Sequence, residues 1–245
     1  MHNLGFKGRY RRDLPHIQPP GATFFITTRL ADSLPQSVLL QLAQQAAATR
    51  AKGSTEGSAE TEADRRERER FWFRGYEKLL HSSRTGPHWL LDERIAGLVA
   101  EVMKYKDGKH YRLDAFCIMP NHMHLVLMPH SRNEIPRTAV LCEDGEGNVG
   151  YVERLGGASG QFIKVEYHSL AAIMHRIKRR SARESNKVLN RRGEFWEHES
   201  YDHFIRDDEE WQRTIGYVLN NPVKSGLVKH WKDWKWTYVA QDGIL

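Results

Sequence analysis

The hydrophobic and polar positions alternate between two periods along this chain, and the changes of period mark out its elements. Ala22 to Leu30 (ATFFITTRL) is dense in β-branched and aromatic residues and reads as a strand. Pro35 to Ala51 is helix-like. Lys52 to Ala63 is polar and bears glycine and serine, the composition of a loop or flexible insert, and a polar insert is placed around residues 52–70. Ile95, Leu98, Val99, Val102 and Met103 recur at helical spacing, with Asp92 able to cap the start and Gly108 following the end, so this helix should lie against a sheet. Tyr111 to Met119 alternates as a strand. Pro120-Asn121 then turns the chain, and His122 to Met128 returns beside it as an antiparallel neighbour.

Residues around 130–160 hold charged and glycine-rich stretches and read as an excursion from the core. Ser169 opens another helix, with Leu170, Ile173, Met174 and Ile177 on one side. Gly193 to Ile205 reads as an aromatic-rich strand. Asp207-x-x-Glu210 begins a last helix that runs toward Asn221, where Pro222 discourages continuation. The order β, α, β, β, α, β, α predicts an α+β fold: one antiparallel sheet with helices on one face and the other face free. One domain over residues 1–245, without internal repeats, is the expected organisation.

Composition narrows the function. Apolar residues make up 40% of the 245, enough for a core, so a wholly disordered chain is excluded. There are 37 Lys+Arg against 31 Asp+Glu, with a pI near 9.3, which favours a polyanionic partner because each neutralised phosphate releases counterions. Cys117 and Cys142 alone make no disulfide scaffold, and no apolar run approaches the roughly 18 residues that span a bilayer. The N-terminus has charges and prolines where a signal peptide needs apolar residues. A cytoplasmic protein without a membrane partner is expected.

The candidate chemistry sits in two places. Side chains in a strand alternate with period two, so His122 and His124 share one face while Met123, Leu125 and Leu127 share the other. Two imidazoles on one strand face can chelate a divalent ion, although a pair of ordinary surface histidines gives the same spacing. On the last helix, Trp211, Ile215, Val218 and Leu219 form the apolar stripe. Tyr217 and Asn221 fall off that stripe, one turn apart, and converge on one point. A phenol there can attack a phosphodiester, forming a phosphotyrosine and expelling a 3′-hydroxyl. A divalent ion on His122 and His124 would polarise the phosphate, and Asn221 can add its amide oxygen to the ligand set. This mixed N/O site suits magnesium or manganese. Arg176, Arg179, Arg180 and Arg183, with Lys178, form a nearly acid-free cluster suited to phosphate contact or to a solvated face. Trp231, Trp234 and Trp236 among lysines suit either base stacking or core cover.

Four stretches together resemble a known family: Tyr10-Arg11-Arg12 with Gly21 to Phe25; Met119-Pro120-Asn121-His122-Met123-His124; Gly193 to Trp196 through Ser200 to Asp207; and Gly216-Tyr217-Val218-Leu219-Asn220-Asn221-Pro222-Val223-Lys224 continuing to Val228. In that order and over nearly the whole chain, they are similar to the REP-associated tyrosine transposases, single-tyrosine HUH enzymes acting on single-stranded DNA. The resemblance implies a ferredoxin-like HUH nuclease core with inserted segments, His122 and His124 as metal ligands, Tyr217 as nucleophile, and Asn221 where relatives place a third polar ligand. It implies cleavage and rejoining of single-stranded DNA near hairpin-forming repeats, by a monomer or a homodimer. The expected DNA contacts are Arg9, Arg11 and Arg12 in the basic arm, the four arginines from Arg176 to Arg183, and Lys224. Two other readings share these features: a domesticated hairpin-DNA-binding protein that does not cut, and a replication-initiator-like HUH nickase. Tyr201, in a family-like stretch of its own, is the rival nucleophile, expected to be structural or DNA-facing.

Overall fold

The computed structural model describes residues 21–35, 37–42, 44–45, 62–132, 139–143, 149–153, 162–164 and 166–240. Arg9, Arg11 and Arg12 lie outside the described residues, as does most of the loop reading over 52–63.

The centre is a five-stranded antiparallel sheet. Its strands are β1 (Thr23–Arg29), β2 (Tyr111–Ile118), β3 (His122–Pro129), β7 (Tyr201–Ile205) and β8 (Thr237–Val239), in the order β7-β1-β3-β2-β8. Two helices make the crossovers: α2 (Glu93–Lys104) joins β1 to β2, and α3 (Leu170–Val188) joins β3 to β7. Without the edge strand β8, this is the β-α-β-β-α-β succession with its last strand beside its first, the ferredoxin-like arrangement. The expected α+β antiparallel architecture is present.

Alternation explains which residues seal it. From β1 to β3, one face carries Phe24, Ile26, Leu113, Phe116, Ile118, Met123, Leu125 and Leu127, all buried in a single cluster with Ile95, Val99 and Met103 of α2 and Ile173 and Ile177 of α3. The crossover helices form where the apolar spacing predicts. Their first turns are capped by Asp92, which accepts from the Arg94 N–H, and Ser169, which accepts from the Ala172 N–H.

The opposite face, expected to stay free, is instead covered by two further helices, because its strands also carry apolar residues (Phe25, Ala115, Val126) that must be buried. The last helix, α4 (Asp208–Lys224), lays Ile215 and Val218 on Phe25, Ala115, Cys117 and Val126. Asp207 caps it by accepting from the Glu210 N–H. It runs through Pro222 to Lys224 with Ser225 as its C-cap, and Gly226 follows at a φ of 74°, which glycine adopts without strain. Beside it lies α1 (Glu62–Ser82), with Phe73 against the same cluster. Residues 62–70, in the stretch read as a polar insert, are thus the first turns of a 21-residue helix. Its early turns are almost wholly charged, so no apolar periodicity announces it until Phe71.

The excursion after β3 forms a separate three-stranded antiparallel sheet, with β4 (Ala139–Glu143), β5 (Val149–Glu153) and β6 (Phe162–Lys164) in sequential order. Of the strand expected over Gly193–Ile205, only β7 enters the ladder. Trp196 makes an isolated bridge to Leu30, and its indole N–H donates to Ser181 at 2.8 Å. No helix among the described residues is long and apolar enough to cross a membrane.

Candidate active site

The strand β3 places His122 and His124 on the face shared with α4 and α1, leaving them 1% and 0% exposed. Their Nε2 atoms stand 3.1 Å apart. Each ring is held by its other nitrogen. His122 Nδ1 lies 2.6 Å from the amide oxygen of Asn121, whose NH₂ donates to the Leu80 carbonyl. Because that amide spends its N–H on Leu80, its oxygen faces the ring, so His122 Nδ1 is the donor and Nε2 keeps its lone pair. His124 Nδ1 lies 2.8 Å from Thr27 Oγ1, directly across the ladder on β1. A hydroxyl serves either as donor or as acceptor, so Thr27 is compatible with both tautomers of His124.

Helix α4 brings Tyr217 to the pair. Its ring centroid is 5.7 Å from that of His124 and 5.7 Å from that of Phe25. Helix α1 adds two residues absent from the sequence reading, Glu77 and His81. Tyr217 donates a short hydrogen bond to Glu77 Oε2. Glu77 Oε1 lies 3.5 Å from His124 Nε2, and Oε2 lies 3.6 Å from His81 Nε2. Asn221, fully buried, is here as expected, but its Oδ1 is bonded to His81 Nε2 at 2.7 Å. Lys224 closes the group, its Nζ 4.5 Å from the Tyr217 ring centroid.

Burial governs the charges. It drives the pKa of His124 down to about 3, helped by the charge of His81, and holds His122 well below its usual range, with His124 and His81 adding to the effect. Both imidazoles are therefore neutral at physiological pH, the form that ligates metals. Burial likewise raises Glu77 to about 7, against the opposing influence of the Tyr217 hydroxyl, the nearby Asn221 amide and the charge of Lys224. The Tyr217 phenol is raised too, by burial first and then by Glu77.

The donor set fits a divalent cation. Glu77, His81, His122 and His124 can each offer one ligand atom, and those atoms all lie within 4.8 Å of one another. Two nitrogens about 2.1 Å from a shared ion stand roughly 3.0–3.4 Å apart at octahedral or tetrahedral angles, which matches the observed 3.1 Å. Glu77 Oε1 is buried without a hydrogen-bond partner, and each histidine of the β3 pair has the outer partner that ligating imidazoles use to fix their rings.

A cavity of about 670 Å³ opens beside the cluster between α1 and α4, and its lining includes Arg74, Lys78, Lys224 and Ser225 around Glu77 and Tyr217. A somewhat larger groove, about 740 Å³, is lined among others by Asp107, Arg112, Asp114 and Trp211; it touches none of the four clustered residues, so the smaller cavity is the relevant one.

Other expected residues lie elsewhere. Arg176, Arg179, Arg180 and Arg183 are exposed on α3, across the sheet from the histidines. Arg176 reaches His110 at 3.0 Å, and Arg180 stacks on Tyr105. Tyr201 is packed between aromatic rings, its centroid 4.6 Å from Phe73 and 5.8 Å from Trp72. His203 pairs with Glu210 at 2.8 Å. Trp234 donates to the Ile118 carbonyl and Trp236 packs on the main core, so both cover the fold.

Fold and site together define an antiparallel α+β protein with buried imidazoles, a carboxylate and a phenol gathered on one sheet face. No family model matches the chain. It is 27% identical over 136 residues to a protein of Haemophilus influenzae (strain ATCC 51907 / DSM 11121 / KW20 / Rd) named "Putative REP-associated tyrosine transposase". The aligned part covers 55% of this chain and 63% of that relative, less than two thirds of its length. The relative carries the family name to which the motifs around His122, His124 and Tyr217 point. A solved structure described as "Structure of the REP associates tyrosine transposase bound to a REP hairpin" superposes with a TM-score of 0.46 at 16% identity, over 94% of this chain and 82% of that one.

Proposed function

We propose that this chain is a metal-dependent single-stranded DNA endonuclease and strand-transferase, a transposase acting at hairpin-forming repeats through a phosphotyrosine on Tyr217. One observation carries the reading: the Tyr217 hydroxyl points into a buried His/Glu cluster suited to a divalent cation, beside a cavity ringed with cationic side chains. The relative's name supports the same activity, and its association with REP elements is carried over to this chain here.

In this mechanism Arg74, Lys78 and Lys224 receive the DNA phosphates at the mouth of the cavity. Magnesium or manganese held by His122 and His124 would supply Lewis-acid stabilisation of the charge that develops on the phosphate. Asn221 orients His81 at the rim. The phenol oxygen of Tyr217 bonds to phosphorus as the bond to the 3′-oxygen breaks. The phenol proton already lies on a hydrogen bond to Glu77, and the departing 3′-oxygen takes its proton from water. A second strand's 3′-hydroxyl then attacks the phosphotyrosine, rejoining DNA and releasing Tyr217. Arg176, Arg179, Arg180 and Arg183 would meet only DNA that wraps to the far side of the sheet. The paucity of cysteine and the proposed DNA substrate support a cytoplasmic location.

The test is incubation of end-labelled hairpin DNA carrying a single-stranded flank with Mn²⁺ or Mg²⁺, followed by a denaturing gel. Wild type is expected to give a covalent protein–DNA band, and Tyr217→Phe none. Equal bands from both would remove Tyr217 from the role, and hairpin binding without any band across several cations would favour a non-cutting binder.

A further inference from the structure

We propose that Glu77 couples the cation to the nucleophile, one carboxylate oxygen facing the ion and the other holding the Tyr217 hydroxyl. The inference rests on the nuclease reading above and deepens it by assigning α1 a place in the site.

A carboxylate that is 6% exposed must recover the water it has lost. Here Oε2 recovers one hydrogen bond, from Tyr217, while Oε1 recovers none. The surrounding side chains do not supply the missing partner: the nearest imidazole nitrogen, His124 Nε2, stands 3.5 Å from Oε1, and His81 Nε2 stands 3.6 Å from Oε2, both long for a hydrogen bond. If α1 served only to cover the sheet, an apolar side chain at this position would cover it with less desolvation. A buried carboxylate beside two imidazole nitrogens 3.1 Å apart is instead the mixed N/O donor set that divalent ions take.

The donors can also be ranked. His81 Nε2 is engaged by Asn221, whereas His122 Nε2 and His124 Nε2 face only each other at 3.1 Å and Glu77 Oε1 has no partner, so these three are the donors that converge. His81 and Asn221 then act as a positioning pair around them. Helix α1 is held in register for this task. Trp72 and Phe73 stack on Tyr201, Tyr76 stacks on Trp72 at 4.8 Å, and the Leu80 carbonyl accepts from Asn121, whose oxygen orients His122.

The experiment is a calorimetric titration of the full chain with MnCl₂ in the absence of DNA, checked by the loss of the free Mn²⁺ resonance in electron paramagnetic spectra. Wild type is expected to bind one Mn²⁺. Glu77→Gln keeps the shape and an acceptor for Tyr217 but loses the charge, and should bind Mn²⁺ at least about 10-fold more weakly, the lower bound set by what removing even an outer partner of a metal site costs. Glu77→Asp keeps the charge one methylene further back and should bind with intermediate affinity, and it serves if the Gln variant fails to fold. Tyr217→Phe removes the hydrogen bond that holds Glu77 Oε2 and should weaken Mn²⁺ binding by about 10- to 100-fold. The proposal is overturned if Glu77→Gln or Glu77→Asp binds Mn²⁺ with wild-type affinity, or if wild type binds none. Loss of the Tyr217-dependent DNA band is a separate result and would sink the nuclease reading whatever the titration shows.

Discussion

The two faces of the central sheet are built from the same strands yet are put to different uses. On one face, β3 contributes Met123, Leu125 and Leu127 to an apolar interior closed by α2 and α3. On the other, the residues alternating with them are His122, His124 and Val126, and the neighbouring strands add Thr27 and Cys117. Period two along a strand thus lets a single segment anchor the fold with alternate residues and carry chemistry with the rest. Most groups of the polar face bond to one another, and the two atoms of the site left over, Glu77 Oε1 and Asn221 Nδ2, mark where something else is required.

This contrast can be broken most severely at the histidines. His122→Gln and His124→Gln should abolish the covalent DNA band and Mn²⁺ binding while changing the melting temperature less than a truncation on the sealed face does. Such a truncation is Leu125→Ala, which leaves a cavity in the main core and is expected to cost about 3 kcal/mol of stability, read by chemical denaturation. Its folded fraction should bind Mn²⁺ like wild type, and a joint loss of stability and metal affinity would show that the faces are not independent. Thr27→Val removes the hydroxyl that fixes His124 Nδ1 and should weaken Mn²⁺ binding by about 10- to 100-fold with the fold retained. The mildest effect concerns Cys117, which stands opposite His124 in the ladder with its thiol pushed up to about 12 by burial. The raised pKa keeps sulfur protonated at pH 8, and only the thiolate is a good nucleophile. In a Cys142→Ser background, Cys117 should therefore stay unlabelled by iodoacetamide in the native protein and react on denaturation.

How much of this is legible in the sequence follows from the same periodicities. His-x-His in an apolar run determines a shared strand face whatever the partners are, and Tyr217 with Asn221, four apart, must share a helix face off the Ile215 and Val218 stripe. The ladder between β2 and β3 follows from two alternating runs joined by Pro-Asn. Glu77 and His81 are invisible to that logic because α1 begins as EADRRERER, a run whose charges look like solvated insert. The usable signal was short: Trp72, Tyr76 and Leu80 at i, i+4 and i+8, with Glu77 and His81 one turn apart on the adjoining face. Strand β8 escaped for a different reason, since three residues at a sheet edge are too few to show a period. The helices on the second face could be expected only by asking what would cover Phe25, Val126 and Cys117 once the crossover helices were committed to the other side.

Asn121 spans the gap between the predicted and the unforeseen parts of this protein with a single side-chain amide. Its NH₂ grips the last turns of α1 at Leu80, and its oxygen selects which nitrogen of His122 bears hydrogen. Docking of that helix and the tautomer of that ring are therefore one event seen from two ends, so the nitrogen-15 resonances of a single imidazole report whether a helix some forty residues earlier in the chain is seated.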